Sequence, residues 1–250
     1  MGKVIGIVSF KGGVGKTISA INIAAALSKR GEKVLVVDVN FLSPTLHIYL
    51  GLLDPDVTLR EIIKYDMLPE DAIYEHETGI HIMPCNFCRD MDCKIFKTKI
   101  DELKKKYDFI ILDSGPSYTR EIFAILAAVD EVIFITTPDY PTLVTTLRSA
   151  EFMRSKNIAV GGVLLNKYKK KRHELSRKDI ENATRLPVIA EIRDNNKIMK
   201  SFSKFMPVTH SFPRNKNSKR YLKLAEYLVD NNLTKDETSE LMDDAGEPGK

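Results

Sequence analysis

Ser9-Phe10-Lys11-Gly12-Gly13-Val14-Gly15-Lys16-Thr17 is the stretch that decides the fold. An apolar run, Val4-Ile5-Gly6-Ile7-Val8, precedes it, and a helical pattern opens near Lys16. The order is strand, glycine-rich loop, helix N-terminus. A triphosphate needs that combination. Glycines let successive backbone N–H groups turn toward phosphate oxygens, and the helix end adds further donors and a partial positive charge. In this reading Lys16 reaches the β- and γ-phosphates, and the Thr17 hydroxyl ligates Mg²⁺. A chance glycine-rich turn is the competing reading; the strand before, the helix after and the two flanking lysines argue against it. Phe10 stands where the usual phosphate loop has its first glycine, and a second lysine, Lys11, opens the loop. Lys11 sits too far forward to neutralise the nucleotide that Lys16 serves.

Working outward, residues 16–30 carry a helical stripe and stop at Gly31, and Lys33-Val34-Leu35-Val36-Val37 is a second strand ending at Asp38. Near-continuous apolar strands recur at 79–84, 107–113, 131–137, 159–165 and 188–192. Helical segments fall at about 58–63, 69–74, 95–106, 141–155, from 195, and 219–230. Apolar strands alternating with helices predict an α/β fold: a doubly wound, mostly parallel sheet with helices on both faces and ligands at the carboxyl ends of the strands. Asp38 and Asp113, each at such an end, are the expected Mg²⁺ partners beside Thr17, partly through water. The 250-residue length suits one large domain, expected over 1–232. Residues 233–250 carry six acids and two bases and are expected to form a disordered acidic tail.

Lys11-Gly12-Gly13-Val14-Gly15-Lys16-Thr17 resembles the deviant phosphate loop of the ParA/MinD (Mrp/MinD) family of ATPases, and the resemblance extends to about residue 230. It implies a MinD-like phosphate-loop NTPase fold and ATP hydrolysis to ADP. It assigns nucleotide contacts to Lys11, Gly12, Gly13, Val14, Gly15, Lys16, Thr17 and Ile18. It also implies that Lys11 reaches across a two-fold axis to the partner's phosphates, making an ATP-bridged homodimer in which a cation delivered in trans stabilises the transferred phosphoryl group. In the family an asparagine at the position of Asn166 reads the adenine edge, which favours ATP over GTP. Arg193 lies in a loop near the base, and Pro213 packs on the adenine. Ser114-Gly115-Pro116-Ser117 resembles the loop that senses the γ-phosphate. The family shows Asp-x-Asp where this chain has Asp38-Val39-Asn40. Asn40 orients a water but cannot take its proton, and loss of general-base help costs about 10²–10⁴ in rate. The expected catalytic set is Lys11, Lys16, Asp38 and Asn40, with slow turnover.

Cys85, Cys88 and Cys93 fall within nine residues after a strand. Cys-x-x-Cys converges two thiolates on a soft metal such as Ni²⁺ or Zn²⁺, yet a closed zinc site needs four ligands. His76, His81 or a second copy would have to complete it; reduced loop thiols are the alternative. An odd cysteine count argues against a disulfide framework and for a reducing cytoplasm. Met1 leads straight into a strand, so no targeting segment is expected, and no apolar run approaches the ~18 residues a membrane span needs. The formal charge of +4 hides a basic body. Lys167-Tyr168-Lys169-Lys170-Lys171-Arg172-His173 reads either as a solvated loop or as a surface for DNA or an acidic partner. A MinD that cycles on membranes ends in a basic amphipathic helix; this acidic tail does not, so no membrane role is expected. These features support nickel insertion in hydrogenase maturation with a small nickel chaperone, the role of some MinD-type ATPases. A DNA-binding positioning ATPase and an iron–sulfur scaffold are the alternatives.

Overall fold

The computed structural model describes residues 1–89, 91–116 and 120–243. Among them the strands are β1 (Lys3–Val8), β2 (Val34–Val39), β3 (Tyr74–Glu75), β4 (His81–Met83), β5 (Phe109–Ser114), β6 (Glu131–Thr136), β7 (Val160–Tyr168) and β8 (Val188–Arg193). The helices are α1 (Lys16–Ser28), α2 (Leu46–Tyr49), α3 (Leu59–Tyr65), α4 (Cys93–Leu103), α5 (Arg120–Ala128), α6 (Tyr140–Ser155), α7 (Arg177–Thr184), α8 (Asn196–Phe202), α9 (Val208–Ser211) and α10 (Lys216–Asp243). A 3₁₀ turn covers Pro69–Ala72. The strands form one sheet in the order β3-β4-β2-β5-β1-β6-β7-β8. Every pair is parallel except β3–β4, a two-residue antiparallel edge.

Both faces of the sheet are covered, as the strand composition requires. Along β1, Val4 and Val8 join the core under α3–α7, while Ile5 and Ile7 join the core under α1, α2 and α8–α10. β5 divides the same way, Ile110 and Leu112 against Phe109 and Ile111. Each fully buried aliphatic side chain contributes about 1.5–3 kcal/mol. The strands are therefore fixed from two sides, and the loops at their carboxyl ends sit on a rigid base.

Several boundaries differ from the sequence reading. β7 continues past Leu165 because its ladder to β8 resumes after a register shift and pairs Tyr168 with Arg193. Asp38 lies inside β2 rather than just after it. α4 begins at Cys93, where the Asp92 carboxylate accepts the N–H groups of Lys94 and Ile95 and caps it. α10 runs from Lys216 to Asp243, into the segment expected to be a tail; residues 244–250 lie outside the described residues. No helix among the described residues is long and apolar enough to cross a membrane.

The α9 edge carries a pH-sensitive group. His210 is held down to about 4 by burial, then by Lys29 and His76. A histidine depressed in the folded state leaves more protons on the unfolded chain between about pH 4 and 6.5, so stability is lost as pH falls through that window. The group is half-exposed, which limits its share to about 1–2 kcal/mol. Melting curves from pH 7.5 to 4.5 should show a smaller fall in Tm for His210→Gln than for the parent chain; parallel curves would refute the assignment.

Candidate functional site

β1 delivers the phosphate loop to the middle of the sheet, and α1 starts directly behind it. Gly13 (φ +75°) and Gly15 (φ +96°) take left-handed backbone, which an L-residue with a Cβ resists. Gly15 also has no space: a Cβ there would sit 2.4 Å from Asn166 Nδ2. Lys16 is buried at the head of α1. A cleft of about 380 Å³ opens on this side, lined by Gly12, Gly13, Gly15, Lys16, Thr17, Ile18, Asn40, Ser114, Pro116 and Lys167 among others.

The two expected acids meet. Asp38 and Asp113 are register partners on β2 and β5, and both are buried. Their surroundings set them apart. Asp38 Oδ1 accepts the N–H of Asn40 (3.0 Å), and Oδ2 accepts those of Thr45 (2.9 Å) and Leu46 (3.0 Å). These three backbone donors satisfy the Asp38 carboxylate in its buried position. Neither oxygen of Asp113 has a hydrogen-bond partner. Burial, then the Asp38 charge, pushes Asp113 up to about 8, and the nearby Thr17 hydroxyl and Lys16 ammonium only partly offset this. A buried carboxylate short of donors beside a second carboxylate has the chemistry of a cation site, and hard oxygen donors fit Mg²⁺. Thr17 and Asp113 would hold the ion, with Asp38 behind them.

Asn40 lines the cleft, but its amide is engaged: Nδ2 donates to Ser43 O (2.5 Å) within its own loop. Lys11 does not line that cleft. It lies on the other side of the loop, in a second cleft of about 580 Å³. Its ammonium donates there to Asp139 Oδ1 (3.0 Å) and Thr142 Oγ1 (2.5 Å). Burial raises Asp139, but the Thr137 hydroxyl, the Lys11 ammonium and the Thr142 donors outweigh it and hold this carboxylate at about 2.

At the base side, Asn166 Nδ2 donates to Val14 O (2.8 Å). The expected adenine reader thus also grips the phosphate loop; an amide nitrogen carries two hydrogens, so one remains for a base. Arg193, expected in a loop, is the last residue of β8, where Asn217 grips it, its Oδ1 accepting Arg193 N–H (3.0 Å) and its Nδ2 donating to Arg193 O (2.8 Å). Pro213 is exposed in the turn before α10. Ser117, part of the expected γ-phosphate loop, lies outside the described residues. Sequence reasoning missed Asn217 and Lys167. Lys167 donates to Gly13 O (2.6 Å) instead of joining a uniform basic surface. Lys169 pairs with Asp194 (3.1 Å), and the Lys169 and Lys171 N–H groups bond Glu174 (3.0 Å each). Lys170, Lys171 and Arg172 are exposed.

Cys85 is buried beyond the end of β4, and its thiol is pushed well up by burial, then by Asp38, Cys88 and Glu61. Cys93 starts α4. His76 bonds Thr78 (2.8 Å) and Phe205 O (3.1 Å), and His81 bonds Tyr107 (2.6 Å), so both rings are engaged elsewhere. Among the described residues no group of three or more His, Cys, Asp or Glu is placed to hold a metal ion. Cys88 N–H does bond Phe41 O (2.9 Å), tying the cysteine loop to the loop that carries Asn40.

The sequence pattern of the CobQ/CobB/MinD/ParA nucleotide binding domain matches residues 5–208. An uncharacterized ATP-binding protein of Methanocaldococcus jannaschii is 28% identical over 230 residues, spanning 90% of this chain and 88% of that protein. The crystal structure of the Pyrococcus furiosus cell division ATPase MinD superposes with a TM-score of 0.85 at 30% identity, covering 92% of this chain and 99% of that one. The septum site-determining protein MinD of Pyrococcus horikoshii, complexed with Mg-ADP, gives 0.84 at 28% identity, covering 91% and 96%.

Proposed function

The chain belongs to the CobQ/CobB/MinD/ParA nucleotide-binding family and is an ATPase, and from that premise we propose that it works as a Mg-ATP-dependent homodimer switch with slow hydrolysis. The observation that carries this reading is the placement of Lys11. Its ammonium faces away from the cleft that holds Lys16 and Thr17 and is held at the rim by Asp139 and Thr142. A cation at the rim serves a second copy better than its own nucleotide. Mg²⁺ held by Thr17 and Asp113 would neutralise charge on the β- and γ-phosphates of ATP; the similar Pyrococcus horikoshii protein is complexed with Mg-ADP. Lys16 neutralises phosphate charge from within the chain, and the backbone N–H groups after Gly12 orient the phosphates. Asn166, Arg193 and Pro213 frame the base, and Asn40 orients water. The ATPase unit ends near residue 232, and the acidic segment 233–250 is an appendage to it. Light scattering during size exclusion tests the switch. A dimer is expected with Mg²⁺ and a non-hydrolysable ATP analogue, and a monomer with ADP. Lys11→Ala should bind nucleotide and stay monomeric. A monomer in every state would overturn the reading.

The switch serves metallocentre assembly in this proposal, passing nickel to a hydrogenase precursor with a small nickel chaperone in a reducing cytoplasm. Support comes from the three thiols between the end of β4 and the start of α4, in a segment whose Cys88 N–H bonds Phe41 O, next to Asn40, so that a dimer could complete the ligand set under nucleotide control. The second reading, a positioning ATPase that binds DNA, is supported by the exposed Lys170, Lys171 and Arg172 and by similarity to proteins named for cell division. Nickel and zinc titrations in the ADP and ATP-analogue states, with a Cys85→Ser/Cys88→Ser variant, separate the two. ATP-dependent stoichiometric binding lost in the variant supports nickel delivery. Absence of metal binding, together with DNA binding that weakens steeply with salt, supports the second reading.

A further inference from the structure

We infer that Lys167 is a positioning residue for the phosphate loop, fixing two of its peptide units in anion-receiving orientation before nucleotide arrives. Lys167 sits at the carboxyl end of β7 with a left-handed backbone (φ +57°), which aims its side chain across the sheet end. The ammonium donates to Gly13 O at 2.6 Å, and the preceding residue, Asn166, donates to Val14 O at 2.8 Å. Two consecutive carbonyls are therefore drawn toward β7. In a planar trans peptide the N–H points opposite to the C=O. The peptide units that carry Gly13 O and Val14 O also carry the N–H groups of Val14 and Gly15, so those donors face away from β7. That is the arrangement of a backbone anion nest, and the left-handed Gly13 and Gly15 are its other requirement. Lys167 lines the cleft on each side of the loop, consistent with a residue that braces the loop between them.

The brace acts on the loop, not on the γ-phosphate. Its loss should weaken every nucleotide that uses the nest, and by the same factor. It should also act alike on ground and transition states, so the effect falls on KM and not on kcat. This separates Lys167 from a lysine that neutralises transferred charge. The inference rests on the nucleotide-site reading but not on the dimer or on nickel.

The test uses the full chain with Lys167→Met, which keeps the stem and removes the ammonium, and with Lys167→Arg. Calorimetric titration with ADP and with a non-hydrolysable ATP analogue gives the affinities, and steady-state hydrolysis gives the kcat and KM split. For Lys167→Met the expected result is a rise of about tenfold in Kd for both nucleotides, as for loss of one charge-assisted hydrogen bond. KM should rise in parallel, kcat should change by less than about threefold, and Lys167→Arg should recover most of the affinity. Three outcomes would overturn it: unchanged affinities, an ATP affinity that falls far more than the ADP affinity, or a kcat loss at constant KM. Nucleotide-free melting of the variants separates a brace from a general fold defect. A Tm lowered in Lys167→Met and not rescued in Lys167→Arg would also count against it.

Discussion

Gly15→Ala should abolish productive nucleotide binding. The backbone at Gly15 has φ +96° and ψ +35°, a region that costs an L-residue about 1–2 kcal/mol. The added methyl has a second cost. It would lie 2.4 Å from Asn166 Nδ2, the group that holds Val14 O. To relieve the clash the amide must leave, and the phosphate loop loses one of the two bonds that orient it. The peptide N–H of Gly15 itself is one of the donors an anion would use. Strain, clash and misdirected donors act on the same three residues, so their effects compound. The expected outcome is at least a 100-fold loss of ADP affinity, which corresponds to about 2.7 kcal/mol, and no measurable hydrolysis. Calorimetry with ADP checks it, with circular dichroism showing that the sheet remains. An affinity within threefold of the parent chain would mean that the loop rearranges on binding and that its nucleotide-free geometry carries little information.

Much of this site was legible before any coordinates. The nonapeptide at 9–17 placed a strand, a turn and a helix start correctly because each residue there has a narrow physical use. The apolar run that ends at Asp113 predicted an acid at a strand end, and the register brings it beside Asp38. Other features were hidden for physical reasons. Lys167 read as the first of several bases because a run of like residues gives no hint that one of them is bonded inward; its position directly after Asn166 at a strand end was the one available signal. The three cysteines looked like a metal cluster because sequence distance is short, but among the described residues they are not part of a group of three or more placed to hold a metal ion. β3 was missed because two residues carry no alternation. The basic run looked like a set of free charges, but the Lys167 and Lys169 ammonium groups, though exposed, are engaged by Gly13 O and Asp194.

Asn40→Asp should speed ATP hydrolysis by about 100-fold if proton acceptance limits turnover, the lower end of what a positioned base supplies. Asn40 faces the cleft shared with Lys16, Thr17 and Ser114, one residue beyond Val39 and two beyond the buried Asp38. Its amide nitrogen is tied to Ser43 O, a bond a carboxylate cannot make because it has no hydrogen to donate. The substitution therefore does two things: it supplies a base and it removes one of the bonds that hold the 40–45 loop. The two are separable. Asn40→Ala removes the same bond without adding a base. Faster turnover in the aspartate variant alone assigns the gain to proton acceptance. Equal gains in both variants would assign it to loop freedom, and no gain in either would show that proton transfer comes late in this phosphoryl transfer and that the slow step lies elsewhere. The asparagine would then lengthen the nucleotide-bound state, because its amide leaves water without a base. For a switch read by a partner, that lifetime sets how long the partner stays bound, so the same variant should shorten the ATP-bound dimer in proportion to its gain in turnover.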